Sequence, residues 1–244
     1  MGMSMAKNLK ILSSVVLCFS ASQSFSFELD DGHVLLQGGG YFSTQGKAQN
    51  IYIQTLLGDR FNVTKSSDSN GLFGIGYLLD GPDYHSIGIS YGLDLFYMPA
   101  TTVQGTITQE FLYTNLAYKY GVRHIPLYAV VKGDVNRFSD KYALTIEGGI
   151  GPNFINTTGY NDWSIDGGET YPDHAFLSHS SVTFSATAGA GIKMRNVVGN
   201  VAAEVGYRFY YLGNAALERR TSQLINTLKT GDNYAQAVVV TLTL

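Results

Sequence analysis

The chain has 244 residues, 16 basic and 19 acidic, for a formal net charge of -3. Charged residues make up 14% where soluble domains carry roughly 25%, yet mean hydropathy is only +0.01 and nothing past the N-terminus approaches the roughly 20 apolar residues of a membrane helix. Gly (28), Tyr (17) and Phe (13) fill the gap. This composition excludes a disordered chain, a coiled coil and a basic nucleic-acid-binding face.

Residues 1–26 have the pattern of a secretory signal peptide: Lys7 and Lys10 lead, Ile11 to Phe19 form a short apolar core, and Ser20 to Ser26 supply small residues for cleavage. Leu17 and Phe19 flank Cys18 and give no lipoprotein signal. Cleavage would remove the single Cys and two of the 16 basic residues, leaving 14 against 19 acidic, a net charge of -5. No disulfide or Cys-based metal site is then available, and residues 27–244 form the exported domain.

Beyond the signal, apolar residues recur with period 2, the strand period. Ile87, Ile89, Tyr91, Leu93 and Leu95 alternate with Ser86, Gly88, Ser90, Gly92 and Asp94. The same split separates Val182, Phe184, Ala186, Ala188, Ala190 and Ile192 from Ser, Thr and Gly neighbours. It recurs as Val205, Tyr207, Phe209 and Tyr211 against Glu204, Gly206, Arg208 and Tyr210, and in the last strand as Val238, Val240, Leu242 and Leu244. Tight breaks at 81–83, 137–140 and 195–200 divide the chain into four long hairpins, near 33–80, 84–136, 141–195 and 200–244. The prediction is an all-β, closed, eight-stranded antiparallel up-and-down transmembrane β-barrel, with ten strands as the alternative if 50–57 joins the wall. Short turns lie at one end, and long loops near 44–70, 99–117, 157–179 and 213–233 at the other.

A soluble barrel would turn its apolar face inward. Here the small and polar face suits a narrow lumen and the large apolar face suits lipid, where only a closed barrel satisfies every backbone group. Tyr84, Tyr97, Tyr211 and Tyr234 fall near strand ends, where membrane-interface aromatics sit. The segments GLFGIGYLL (71–79), IPLYAVVKGDV (125–135), LTIEGGIGPNF (144–154), VAAEVGYRFYYLG (201–213) and YAQAVVVTLTL (234–244) carry a resemblance. The chain resembles small bacterial outer-membrane barrels of the opacity-protein and outer-membrane-protein-A transmembrane-domain type. That resemblance implies a non-enzymatic protein of the outer membrane, reached through the signal peptide and monomeric, without cofactors or nucleic-acid partners. Its partners would be outer-membrane lipid and lipopolysaccharide, the assembly machinery through the C-terminal strand, and host surface molecules through the loops. The family's usual terminal aromatic is Leu244 here.

Parity directs Lys132, Glu147, Lys193, Glu204 and Arg208 into the lumen, and counting from the turn near Ser139 sets Lys132 opposite Glu147. Charges in a narrow lumen must pair, so these five are expected to form a salt-bridge network that plugs the barrel, with a small pore as the alternative. His179 and Ser181 share a strand face in the His-x-Ser arrangement of outer-membrane lipid hydrolases, but Val182 follows where that family has Asn, and Glu204 lies at the far end. Asp173, His174 and His179 are weak metal candidates in a polar loop. The stretch from Gly38 to Lys47 fails the phosphate-loop spacing at Tyr41 and Ala48. Asn62 and Asn156 head glycosylation sequons that carry no meaning in a bacterial outer membrane, and Glu218-Arg219-Arg220 is a loop charge cluster.

Overall fold

The structure, a computed structural model, describes residues 32–82, 84, 87–135 and 141–244. The expected signal peptide and the turn near Ser139 lie outside these residues. The strands are β1 (Gly32–Thr44), β2 (Gln49–Ile51), β3 (Asp59–Lys65), β4 (Ser67–Asp80), β5 (Gly88–Gln109), β6 (Tyr113–Val135), β7 (Tyr142–Ser164), β8 (Phe176–Leu177), β9 (His179–Val198), β10 (Val201–Ala216), β11 (Glu218–Arg219) and β12 (Lys229–Thr243).

Eight of them close a ring in the order β1-β4-β5-β6-β7-β9-β10-β12, every neighbouring pair antiparallel. The seam between first and last strands runs from Leu35 opposite Thr243 to Thr44 opposite Tyr234. β2 pairs only with β3, which continues the line of β4 along the upper part of β5. Residues 50–57 therefore add no wall strand, and the ring has eight members.

The outward segments take an unexpected form. β5, β6 and β7 run for 22, 23 and 23 residues, about twice the 9–11 that cross a bilayer. Much of the expected loop at 99–117 is strand, and the hairpin closes through Glu110 and Phe111 in left-handed conformation. The wall thus continues well past the membrane.

Two surfaces result. In the short-turn half, Tyr91, Leu93, Leu95 and Tyr97 on β5, Ile146, Ile150 and Phe154 on β7, and Val205, Tyr207 and Phe209 on β10 all stand exposed on the outside. This continuous apolar belt is the lipid-facing wall of a transmembrane barrel. Aromatic rings gather at its loop-side edge, where Tyr234 packs against Phe209 and Tyr211 with ring centroids 6.0 and 5.5 Å apart. Above that edge the outside of β5 becomes Thr102, Gln104, Thr106 and Thr108, while Val103 and Ile107 turn inward and are buried. A bulge between Met98 and Thr101 makes the switch, since apolar side chains at odd positions face lipid below it and the interior above it.

Candidate functional site

The short-turn half of the lumen holds a compact ion cluster. Period-2 alternation points Asp94 of β5, Lys132 of β6, Glu147 of β7 and Glu204 and Arg208 of β10 inward, and the pairing register sets Lys132 opposite Glu147. Lys132 Nζ lies 2.6 Å from Glu204 and 3.8 Å from Glu147. The Arg208 guanidinium reaches Asp94 at 3.2 Å, donates through Nε to Glu147, and sits 4.9 Å over the Phe96 ring. Thr145 donates to Glu204 at 3.0 Å. Lys193 stands apart from this cluster: with Arg195 it pairs to Asp134, at 3.5 and 3.2 Å. Asp94 joins the cluster without having been singled out in the sequence, although the alternation at 86–95 already put it on the polar face. Below the cluster, at the barrel mouth, a cavity of about 420 Å³ is lined by His33, Asp80, Ser90, Asp134 and Lys193, with Lys132 at its inner end.

Higher up, the interior departs from the expected polar filling. Phe96, Tyr128 and Tyr210 form a buried aromatic group with centroids 5.7 to 6.4 Å apart, joined by Leu72, Met98 and Leu212. Packing explains the difference. An eight-stranded lumen has to be filled at interior density, and glycines on facing strands leave volume that rings occupy. A Cβ at Gly74 would lie 2.6 Å from Phe96, and one at Gly105 would lie 2.5 Å from Tyr118.

Above these rings comes a polar layer. Asn153 donates to the Leu212 carbonyl at 2.8 Å, and the same amide nitrogen lies 3.0 Å from His124 Nδ1. Gln45 donates to Thr101, and Ser43 bonds the same hydroxyl at 2.9 Å. A second apolar core then closes the outer half: Phe61, Val103, Ile107, Tyr118, Tyr120 and Phe176 with their neighbours.

The loops above are fastened to one another. Ile53 bridges to Leu224, β8 pairs with β11, and Ile165 N–H donates to the Asn115 carbonyl at 2.9 Å. Arg219 donates to the Leu224 carbonyl at 2.6 Å, so part of the expected charge cluster serves as a fastener. Asp162, almost wholly enclosed, accepts from the His174 backbone and lies 2.7 Å from His174 Nδ1, with Tyr160 donating at 3.2 Å. Asp166 accepts from the Ser164 and Thr170 hydroxyls, which hold its carboxyl below the usual carboxylate range. Burial, then the nearby Asp162 charge, push the Asp173 carboxyl up. From this fastened cap Leu56, Leu57, Leu112, Tyr113, Tyr171 and Ile225 project into solvent, Tyr171 at 85% exposure.

The remaining candidates separate. Ser181 Oγ is buried without a hydrogen-bond partner while His179 is exposed, and Glu204 lies in the cluster at the other end. His174 is engaged by Asp162, and among the described residues no three metal-capable side chains converge. Gly38 to Gly40 lie inside β1. Asn156 is committed to Arg123 and Ser180 on the barrel wall.

No family model and no curated protein matches the chain. Among solved structures, it is similar to the outer membrane protein OprG of Pseudomonas aeruginosa, at 11% identity over 87% of this chain and 96% of that one, TM-score 0.49. It is also similar to Neisserial surface protein A, at 9% identity over 88% and 97%, TM-score 0.44. A third likeness is to the outer membrane protease OmpT of Escherichia coli, at 10% identity over 91% and 98%, TM-score 0.44. These likenesses concern the fold alone.

Proposed function

We propose that this protein is a non-enzymatic integral protein of a bacterial outer membrane that binds partners at the cell surface through its loop cap. The observation that carries the reading is the combination of a filled lumen with a fastened, apolar-tipped cap. The ion cluster, the aromatic group and the outer core fill successive levels of the interior. What the molecule offers its surroundings is therefore its outside. Exposed Leu and Tyr tips on a hydrogen-bonded frame are costly unless covered, and contiguous exposed apolar surface marks interaction sites. A frame fixed in advance also lowers the entropy lost on binding.

The first test is the electrophoretic shift of protein extracted from outer membranes. A folded barrel runs faster unheated than boiled, and a protein soluble without detergent that shows no shift would overturn the reading. For the partner, replacing Leu56, Leu57, Leu112 and Tyr113 by Ser should abolish adhesion of expressing cells to host cells or matrix while the gel shift persists. Unchanged adhesion would leave a structural role in the membrane. Planar-bilayer recording should show no steady ohmic conductance.

A further inference from the structure

We propose that the outer wall of β6 between Lys119 and Arg123 binds the phosphate-bearing headgroup of a membrane lipid, with its acyl chains lying on Ile125, Phe154 and Val182. The inference rests on the reading of the barrel as membrane-spanning. Its starting point is position. Along β6 the outward side chains run from Leu127 and Ile125 directly to Arg123, then Gly121 and Lys119. On β7 the same step is Phe154 to Asn156, and on β9 it is Val182 to Ser180. The cations therefore begin where the apolar belt ends, at the depth of lipid headgroups.

The chemistry matches that depth. Neither Lys119 nor Arg123 forms an ion pair among the described residues, although the chain carries an excess of carboxylates. Just above the belt, from Thr102 to Thr108 on β5, Lys119 to Arg123 on β6 and Asn156 to Asn161 on β7, the outward positions carry Thr, Gln, Asn, Gly and the two cations, without a carboxylate. Arg123 is pre-positioned: its Nη2 donates to Asn156 at 3.3 Å, and Asn156 donates to Ser180 at 2.7 Å. Its Nε is enclosed and makes no hydrogen bond, which leaves a buried charged donor needing an acceptor.

Between the cations Gly121 leaves a recess, where a Cβ would meet Ala100 and Thr158 at 3.4 Å. Four strand residues span about 13 Å, so the two side chains can converge over that recess or grip opposite ends of a headgroup. A guanidinium and an ammonium spaced along a wall are suited to phosphate oxygens, which accept strong charge-assisted bonds. The apolar belt directly below selects a lipid over free phosphate.

The test is native mass spectrometry of the full-length barrel in neutral detergent, titrated with lipid A as a probe bearing phosphates. Lys119→Ala with Arg123→Ala should weaken binding by about tenfold or more, whereas Lys47→Ala with Lys229→Ala, on the opposite wall, should leave it unchanged. Dephosphorylated lipid A should bind as weakly to the native protein as lipid A does to the first variant. Retained binding in that variant, or equal binding of the dephosphorylated lipid, overturns the proposal. Displacement by inorganic phosphate at matching concentration also overturns it, since phosphate alone would then be the ligand. The heat-dependent gel shift separates the two readings: a shifted, detergent-requiring barrel without lipid binding defeats this site alone. Loss of the shift in the native protein defeats the membrane reading itself.

Discussion

The two halves of the barrel obey opposite rules along the same strands. In the short-turn half Leu93, Leu95 and Ile150 face outward, while Lys132, Glu204 and Arg208 are buried inside. In the outer half Thr106 and Lys119 face outward, and Val103, Ile107 and Tyr118 are buried inside. The difference comes from the solvent. Lipid rewards apolar surface on the outside and leaves the interior to whatever small, paired or aromatic groups fill it. Water above the membrane restores the ordinary preference for an apolar core. One ladder of hydrogen bonds serves both, because the backbone pairing does not depend on which face is apolar.

Substitutions can break that contrast, and the greatest loss should come from the ion cluster. Arg208→Ala leaves Asp94 and Glu147 without their shared cation, and removing one partner of a buried pair costs about 3 to 5 kcal/mol. Urea titration of the barrel in detergent, followed by the gel shift, should show the midpoint fall accordingly. Phe61→Ala, which empties volume beside Tyr118 and Phe176, should cost about 3 to 5 kcal/mol locally. Its effect should be confined to the outer half, so that limited proteolysis trims the cap while the gel shift survives.

Ile150→Arg places a charge on the lipid face and should cost about 2 to 4 kcal/mol. Thr106→Arg, also outward but above the belt, should stay within about 0.5 kcal/mol. Equal costs at the two positions would erase the distinction between the halves. The smallest effect concerns pH. Because the Asp166 carboxyl is held below its ordinary range by Ser164 and Thr170, its ordering of residues 164–170 is complete above the usual aspartate pKa. That ordering is lost as pH falls through the lower folded value. Protease cleavage in this loop should rise only on strong acidification in the native chain, and already be raised at neutral pH in Asp166→Asn.

Much of the membrane half was legible in the sequence because lipid enforces a strict alternation. The stretch at 201–211 can be folded in only one phase without turning Glu204 and Arg208 outward, and that at 181–192 in only one without turning Val182, Phe184 and Ile192 into the lumen. The aromatic filling was half visible: Tyr210 shares the face of Glu204 and Arg208, but nothing local shows that Gly74 lies across from Phe96. The outer half resembles loops in the sequence for a physical reason. A wall that meets water carries Thr, Gln and Asn outside, and a stretch such as 101–109 then resembles a polar connection. Its alternation of Val103 and Ile107 with threonines is real, but the bulge at Met98–Thr101 hides it by keeping apolar residues at odd positions while reversing their direction. The cap contacts of Asp162 with His174 join residues 12 apart through a left-handed backbone at His174, which no periodicity encodes.

That bulge has a further meaning for how the chain can change. The hairpin above Thr101 and Val122 meets the spanning segment at a single joint that absorbs the phase between them, so it behaves as a detachable module. Shortening both of its arms by two residues keeps every remaining side chain on its own face. Removing one residue from 88–97 would exchange lipid and lumen along the rest of that segment. Variation in length is thus tolerated in the outer half and forbidden in the apolar-belted half, and the joint between them is where a foreign hairpin could be grafted.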